Sequence, residues 1–111
     1  MLDERGGPNH VGNFCSAPIH ADTARGTLMH QSAYWVLGHF ARFARPGAQR
    51  VRCVSSPEVE STAFVNPDES IVVVATNRHH HPLHHALRID GAFWPCELPP
   101  RSIATFVAAA R

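Results

Sequence analysis

Hydrophobic and polar positions divide the chain into three stretches of different period. Residues 1–26 mix Gly, Pro, Asn, Asp and Ser with scattered apolar residues and follow neither a period of 3.6 nor of 2, so they read as an irregular loop. From about Thr27 to Ala44 the spacing of Ala33, Val36, Leu37, Phe40 and Ala44 marks one helical stripe. Tyr34, Trp35 and Phe43 widen that stripe well beyond a single face, which predicts a helix packed on two sides. Arg42 and Arg45 sit in its last turn, where cations favour the helix dipole, and Pro46-Gly47 ends it.

After Gly47 the period becomes 2. Arg50–Ser55, Ser61–Val65, Ile71–Thr76, His85–Ile89, Ala92–Leu98 and Ser102–Val107 read as strands. Between the second and third, Asn66-Pro67-Asp68 is turn chemistry and predicts a hairpin. The unbroken run Ile71-Val72-Val73-Val74-Ala75 predicts a strand covered on both faces, hence central in its sheet. Five or six short antiparallel strands at this spacing predict a mainly β fold of sandwich type.

With 111 residues the chain is at most one ordinary domain. A helix apolar on most of its circumference and a head of 26 structureless residues are then both out of scale, because a chain this short has hardly a second layer to cover such a helix. Ten basic and nine acidic residues leave a net charge of +1, without the basic footprint that nucleic acid or an anionic membrane would require. Cys15, Cys53 and Cys96 lie far apart and are odd in number, so no disulfide framework is implied. No apolar run approaches the ~20 residues of a membrane helix. The acidic start MLDERGGPNH does not read as a signal peptide.

The most conspicuous chemistry is His79-His80-His81-Pro82-Leu83-His84-His85. Neutral imidazole ligates first-row metals, and His81 with His84, or His79 with His81, are the chelating spacings. The tract carries no acid, and Asp90 is its nearest carboxylate in sequence, so no second shell is visible. The expectation is a solvated hairpin loop and no metal site, with at most weak Ni²⁺ or Zn²⁺ binding that does not affect folding. Cys15 with His10 or His20 is a poor nucleophilic pair, since nothing in the sequence lowers the thiol pKa. Gly6-Gly7-Pro8-Asn9 lacks the Lys of a phosphate loop. Asp3, Glu4, Asp22, Glu58, Glu60, Asp68, Glu69, Asp90 and Glu97 fall at the ragged start, in loops, or at turns and strand edges. No two of them suggest opposed carboxylates of a glycosidase, so no catalytic residue and no cofactor is expected.

Five ordered blocks carry a resemblance. Gly6-Gly7-Pro8-Asn9-His10-Val11-Gly12-Asn13-Phe14 with Ala17-Pro18-Ile19 resembles the GGPNWVxNF…SPII stretch of the glucosylceramidase branch of glycoside hydrolase family 30. Leu37-Gly38-His39-Phe40-Ala41-Arg42-Phe43 is similar to that family's LGHFSKF, and Pro46-Gly47-Ala48-Gln49-Arg50-Val51 to its PEGSQRV. Asn66-Pro67-Asp68-Glu69-Ser70-Ile71-Val72-Val73-Val74 with Asn77-Arg78 resembles HPDGSAVVVVLNR. Leu98-Pro99-Pro100-Arg101-Ser102-Ile103-Ala104-Thr105-Phe106 resembles the closing ISPGYSIHTYL.

The resemblance implies a C-terminal segment of a larger enzyme. Residues 1–46 would be the last loop and eighth helix of a (β/α)8 barrel, and residues 47–111 an antiparallel β-sandwich that in the family also borrows strands from the start of the full chain. Both oddities of scale then have one explanation: the long head belongs to the active-site face, and the helix packs between barrel and sandwich. The family's two Glu residues, acid/base and nucleophile, would lie upstream of Met1. Of its substrate-lining residues only Asn13 and Phe14 carry over, Asn13 as a hydrogen-bonding group and Phe14 as an apolar wall. Cys15 stands where the family has an apolar residue and His10 where it has Trp. The implied substrate is a glucosylceramide-like or other β-glucoside, bound only with the barrel, while the chain alone would be silent and either marginally stable or self-associating. Family members are often lysosomal or secreted, and the sequence itself assigns no compartment. Two rivals are an autonomous small β-sandwich that binds carbohydrate or serves as an accessory module, and a His-rich metal-binding protein.

Overall fold

The computed structural model describes residues 1–7, 10, 12 and 15–110. The chain folds as two compact units, residues 1–38 and 39–111.

The first unit is not the irregular head that aperiodicity predicts. β1 (Leu2–Asp3) runs parallel to β2 (Ile19–Asp22), which pairs antiparallel with β3 (Thr27–His30), giving a three-stranded sheet in the order β1-β2-β3. The β2–β3 turn is fixed locally. Asp22 Oδ1 accepts the Arg25 N–H at 3.0 Å, and Gly26 takes a φ of 65°, a left-handed conformation that suits a residue without Cβ. No residue of the three strands is fully buried, so selection for an alternating apolar face is weak and the period-2 signal is missing. Gln31 donates its N–H to Pro18 O at 2.9 Å and continues the pairing to the start of the helix.

α1 spans Ser32–Ala41, shorter at both ends than the stripe from Thr27 to Ala44. Thr27–His30 is β3 because pairing with its ladder partner Ile19–Asp22 overrides the helical propensity of Leu28 and Met29. At the other end the Phe43 and Ala44 N–H groups both reach Phe40 O, closing turns after the helix proper. No α1 residue is buried, and Tyr34, Trp35, Val36 and Leu37 are all exposed, Trp35 at 62%. The two-sided packing expected of this helix is therefore not formed among the described residues.

In the second unit, β4 (Gln49–Val51), β5 (Val59–Val65) and β6 (Ile71–Asn77) form three strands of an antiparallel sheet, and β7 (Leu83–Ile89) pairs with β8 (Ala92–Leu98) as a separate hairpin. β9 (Ser102–Ala108) returns to complete the sheet in the order β4-β5-β6-β9. β4 is shorter than the expected strand from Arg50 to Ser55. β6 is central, as its apolar run predicts: Val72, Val73, Val74 and Ala75 are all buried. The core gathers Ala75, Leu83 and Leu98, with Val59, Ala104 and Phe106 packed against them. Sheet and hairpin thus meet face to face, with β7 alternating buried and exposed positions.

Two buried asparagines fasten this sandwich. The Asn66 side chain accepts the Arg45 N–H and donates to Phe43 O and Ser70 Oγ, all at 3.0 Å, tying the segment after α1 to the β5–β6 turn. Asn77, 1% exposed, places Nδ2 within 3.0 Å of the carbonyls of His81, Leu98 and Pro99, and its Oδ1 accepts the His79 N–H at 2.8 Å. These bonds satisfy main-chain groups in the β6–β7 and β8–β9 connections that have no ladder partner. His39 adds a third tie, Nδ1 lying 2.8 Å from Thr105 Oγ1 on β9.

Candidate functional site

Asn13 and Phe14, the residues expected to line substrate, lie outside the described residues. Within the first unit, the β1-β2-β3 sheet is pinned by one side-chain relay. The Glu4 carboxylate accepts both the Thr23 N–H, at 3.1 Å, and the Thr23 hydroxyl, at 2.6 Å. Those two donors favour the anion and hold the Glu4 carboxyl down at about 2. Gly6, at a φ of 62°, donates its N–H to Asp3 O at 3.1 Å and begins the segment that leads toward Asn13.

The weak nucleophilic pair does not form an active dyad through His20. His20 Nε2 accepts the Ala17 N–H at 2.9 Å, so the lone pair a base would use on that nitrogen is already engaged. His10 is exposed and Cys15 half-buried. Cys96, on β8, is pushed up by burial, away from reactive thiolate character.

Two acids of the second unit are held in ion pairs with arginines, and two stand at turns. Glu60 meets Arg78 at 3.0 Å and Asp68 meets Arg45 at 3.2 Å, both on exposed surface. Glu97 lies 4.0 Å from His84, its cross-strand partner, and Glu58 lies 4.0 Å from His85. Glu69 and Asp90 occupy left-handed turn positions with φ of 63° and 49°. Glu4 and Asp68 both have lowered proton affinity, Asp68 through its bonds from Ser70. A general acid needs the opposite shift.

Two openings lie between the four-stranded sheet and the β7–β8 hairpin. One, of about 770 Å³, is bordered by Ile71, Leu87, Ile89, Trp94 and Phe106; the other, of about 530 Å³, by Val51, Val59, Val73 and Leu98. Their walls mix apolar strand residues with polar ones, Glu69, Asp90 and Thr105 in the first and Arg52, Ser61, His85 and Arg88 in the second.

The His tract is divided by the structure. His79, His80 and His81 form the bend between β6 and β7, whereas His84 and His85 are already within β7. Among the described residues, no three His, Cys, Asp or Glu side chains gather closely enough to hold a metal ion. No helix among them is long and apolar enough to cross a membrane.

Comparison with known proteins decides the family. The profile described as "Glycosyl hydrolase family 30 beta sandwich domain" matches residues 47–106, more than half of the chain. This chain belongs to glycosyl hydrolase family 30. The "Glycosyl hydrolase family 30 TIM-barrel domain" profile matches residues 1–44. The chain is 42% identical over 79 residues to the lysosomal acid glucosylceramidase of Mus musculus, covering 69% of this chain and 15% of that protein. It is 40% identical over 81 residues to putative glucosylceramidase 2 of Caenorhabditis elegans, covering 70% of this chain and 16% of that one. The crystal structure of SrfJ from Salmonella typhimurium superposes with a TM-score of 0.88 at 32% identity, covering 99% of this chain and 25% of SrfJ. The family 30 chain thus spans about a sixth of the length of these curated relatives.

The structural feature that single-residue chemistry missed is the pair of buried asparagines, both within the Asn66-to-Arg78 block that resembles the family pattern. An amide ending an otherwise apolar central strand is the feature that could have marked Asn77.

Proposed function

We propose that this chain is the C-terminal segment of a glucosylceramidase-like retaining β-glucosidase, acting on a glycosphingolipid or related β-glucoside, and that it is catalytically silent alone. The observation that carries the reading is identity of about 40% to two glucosylceramidases over some 80 residues of this chain. Retaining chemistry needs a leaving-group acid and a nucleophile with carboxyls ~5–5.5 Å apart. Glu60 and Asp68 are ion-paired and Glu69 and Asp90 stand at turns, which supports assigning both roles to carboxylates elsewhere in a complete enzyme.

In this reading residues 1–46 belong to the barrel and residues 47–111 to the sandwich, a division supported by profile matches ending at 44 and beginning at 47. Asn13 would hydrogen-bond the glucoside and Phe14 would wall its apolar side. The test is a graft in which this chain replaces the matching segment of the mouse relative, assayed on glucosylceramide. Activity retained by the graft, with a raised KM on Asn13→Ala or Phe14→Ala, is expected. A folded graft whose KM is unaffected by both substitutions would contradict the site assignment.

The rival reading, an autonomous carbohydrate-binding module, is favoured by one observation: Phe93 and Trp94 are exposed on the β7–β8 hairpin, at 68% and 54%. Calorimetric titration of the isolated chain with β-glucans discriminates. Binding lost on Trp94→Ala supports the module, and absence of binding supports the segment reading.

A further inference from the structure

The bend at His79–His81 is fixed by more than its sequence suggests. Asn77 holds both ends of it, accepting the His79 N–H at 2.8 Å and donating to His81 O at 2.9 Å, while the Arg101 N–H binds His79 O at 3.0 Å. Since Asn77 is buried, the main chain carrying the two imidazoles is anchored to the core rather than free in solvent. The rings of His79 and His81 stand with centroids 5.3 Å apart and planes inclined by 31°. Two imidazoles bound at ~2.0–2.1 Å to a tetrahedral ion have centroids about 5 Å apart, so the observed spacing suits a shared ion.

Hydrogen bonding also sorts the three rings. His81 Nδ1 lies 3.3 Å from Pro82 O, and a carbonyl only accepts, so in this bond Nδ1 carries the proton and Nε2 keeps the lone pair that a metal would use. This is the arrangement in which a carbonyl orients a metal-binding imidazole. His80 differs: its Nε2 is 2.6 Å from Arg101 Nη2, which only donates, so that lone pair is engaged. Arg78 on the same connection is ion-paired to Glu60 at 3.0 Å.

We propose that His79 and His81 form a two-imidazole site for a borderline first-row divalent cation, Zn²⁺ being the probe, with water completing the coordination and His80 taking no part. The Arg101 guanidinium beside His80 opposes a dication and sets the site at low affinity. Zn²⁺ is titrated into the intact chain while imidazole ¹⁵N resonances are followed. His81 Nε2 and one ring nitrogen of His79 are expected to shift together in a saturable manner. His79→Ala and His81→Ala should each weaken binding by about tenfold or more, on the scale of losing a metal-site partner, whereas His80→Ala and His84→Ala leave it unchanged. Equal weakening by His80→Ala, full binding retained in His79→Ala, or no saturable shift at all would overturn the assignment and reduce the tract to unspecific imidazole.

Discussion

The side-chain amide of Asn77 lies 3.0 Å from the main-chain carbonyl of Leu98, joining the central strand of one sheet to the end of the opposite hairpin. Leu98 is itself 1% exposed and sits with Leu83 and Ala75 in the core, so the bond is made where water does not compete. This end of the sandwich is closed by an amide, while the end near Ile71 and Ile89 borders the larger opening.

Asn77→Ala is expected to lower unfolding free energy by about 2–3 kcal/mol, because buried carbonyls and the His79 N–H lose their partner. Urea denaturation reads this directly. A loss below about 0.5 kcal/mol, the range of ordinary surface substitutions, would show that water replaces the amide.

Asn66→Ala should cost about 1–2 kcal/mol through loss of the bonds to Arg45, Phe43 and Ser70, similar to losing a helix cap. Arg45→Ala, which removes only the exposed ion pair with Asp68, should cost less than about 1 kcal/mol. The reverse order in chemical denaturation would assign the tie to charge.

Glu4 provides a pH-dependent contact in the first unit. Its carboxyl is lowered from an ordinary value near 4.5 to about 2 by the Thr23 donors, so the contact is fully present above 4.5 and is lost as pH falls toward 2. The Glu4 carboxyl ¹³C resonance should titrate near 2 in the native chain and at higher pH in Thr23→Val, which removes the hydroxyl donor and keeps the N–H donor. Coincident titration curves would remove Thr23 as the cause.

Exposed Trp35, Val36 and Leu37 make an apolar stretch on α1 that favours self-association. Sedimentation should show association that Trp35→Ser and Leu37→Glu reduce. In amide exchange, protection should concentrate on β5 and β6, where pairing runs from Val59↔Asn77 to Val65↔Ile71. A monodisperse monomer equally protected along α1 and the strands would favour an autonomous domain.

The sandwich was largely legible. Ile71–Ala75 announced a central strand because both faces of β6 are covered, and Ala92–Leu98 coincides with β8 because Asp90-Gly91 and Pro99-Pro100 punctuate it. β2 and β3 were hidden because none of their residues is buried, which removes the constraint that writes an alternating pattern. The stripe predicts a helix from about Thr27 to Ala44, yet β-pairing and turn bonds decide where α1 begins and ends. The proposed site rests on resemblance alone. Single residues could not reveal Asn13 and Phe14, since an amide and an aromatic in a loop have no distinctive spacing.

The most direct measurement of the central claim is hydrolysis of a fluorogenic β-glucoside by the purified 111-residue chain across the acid to neutral range. The account predicts no turnover above background, because it assigns both the nucleophile and the proton donor of retaining chemistry to carboxylates elsewhere in a complete enzyme. Sustained turnover abolished by Glu58→Gln, Glu60→Gln or Glu97→Gln would contradict it.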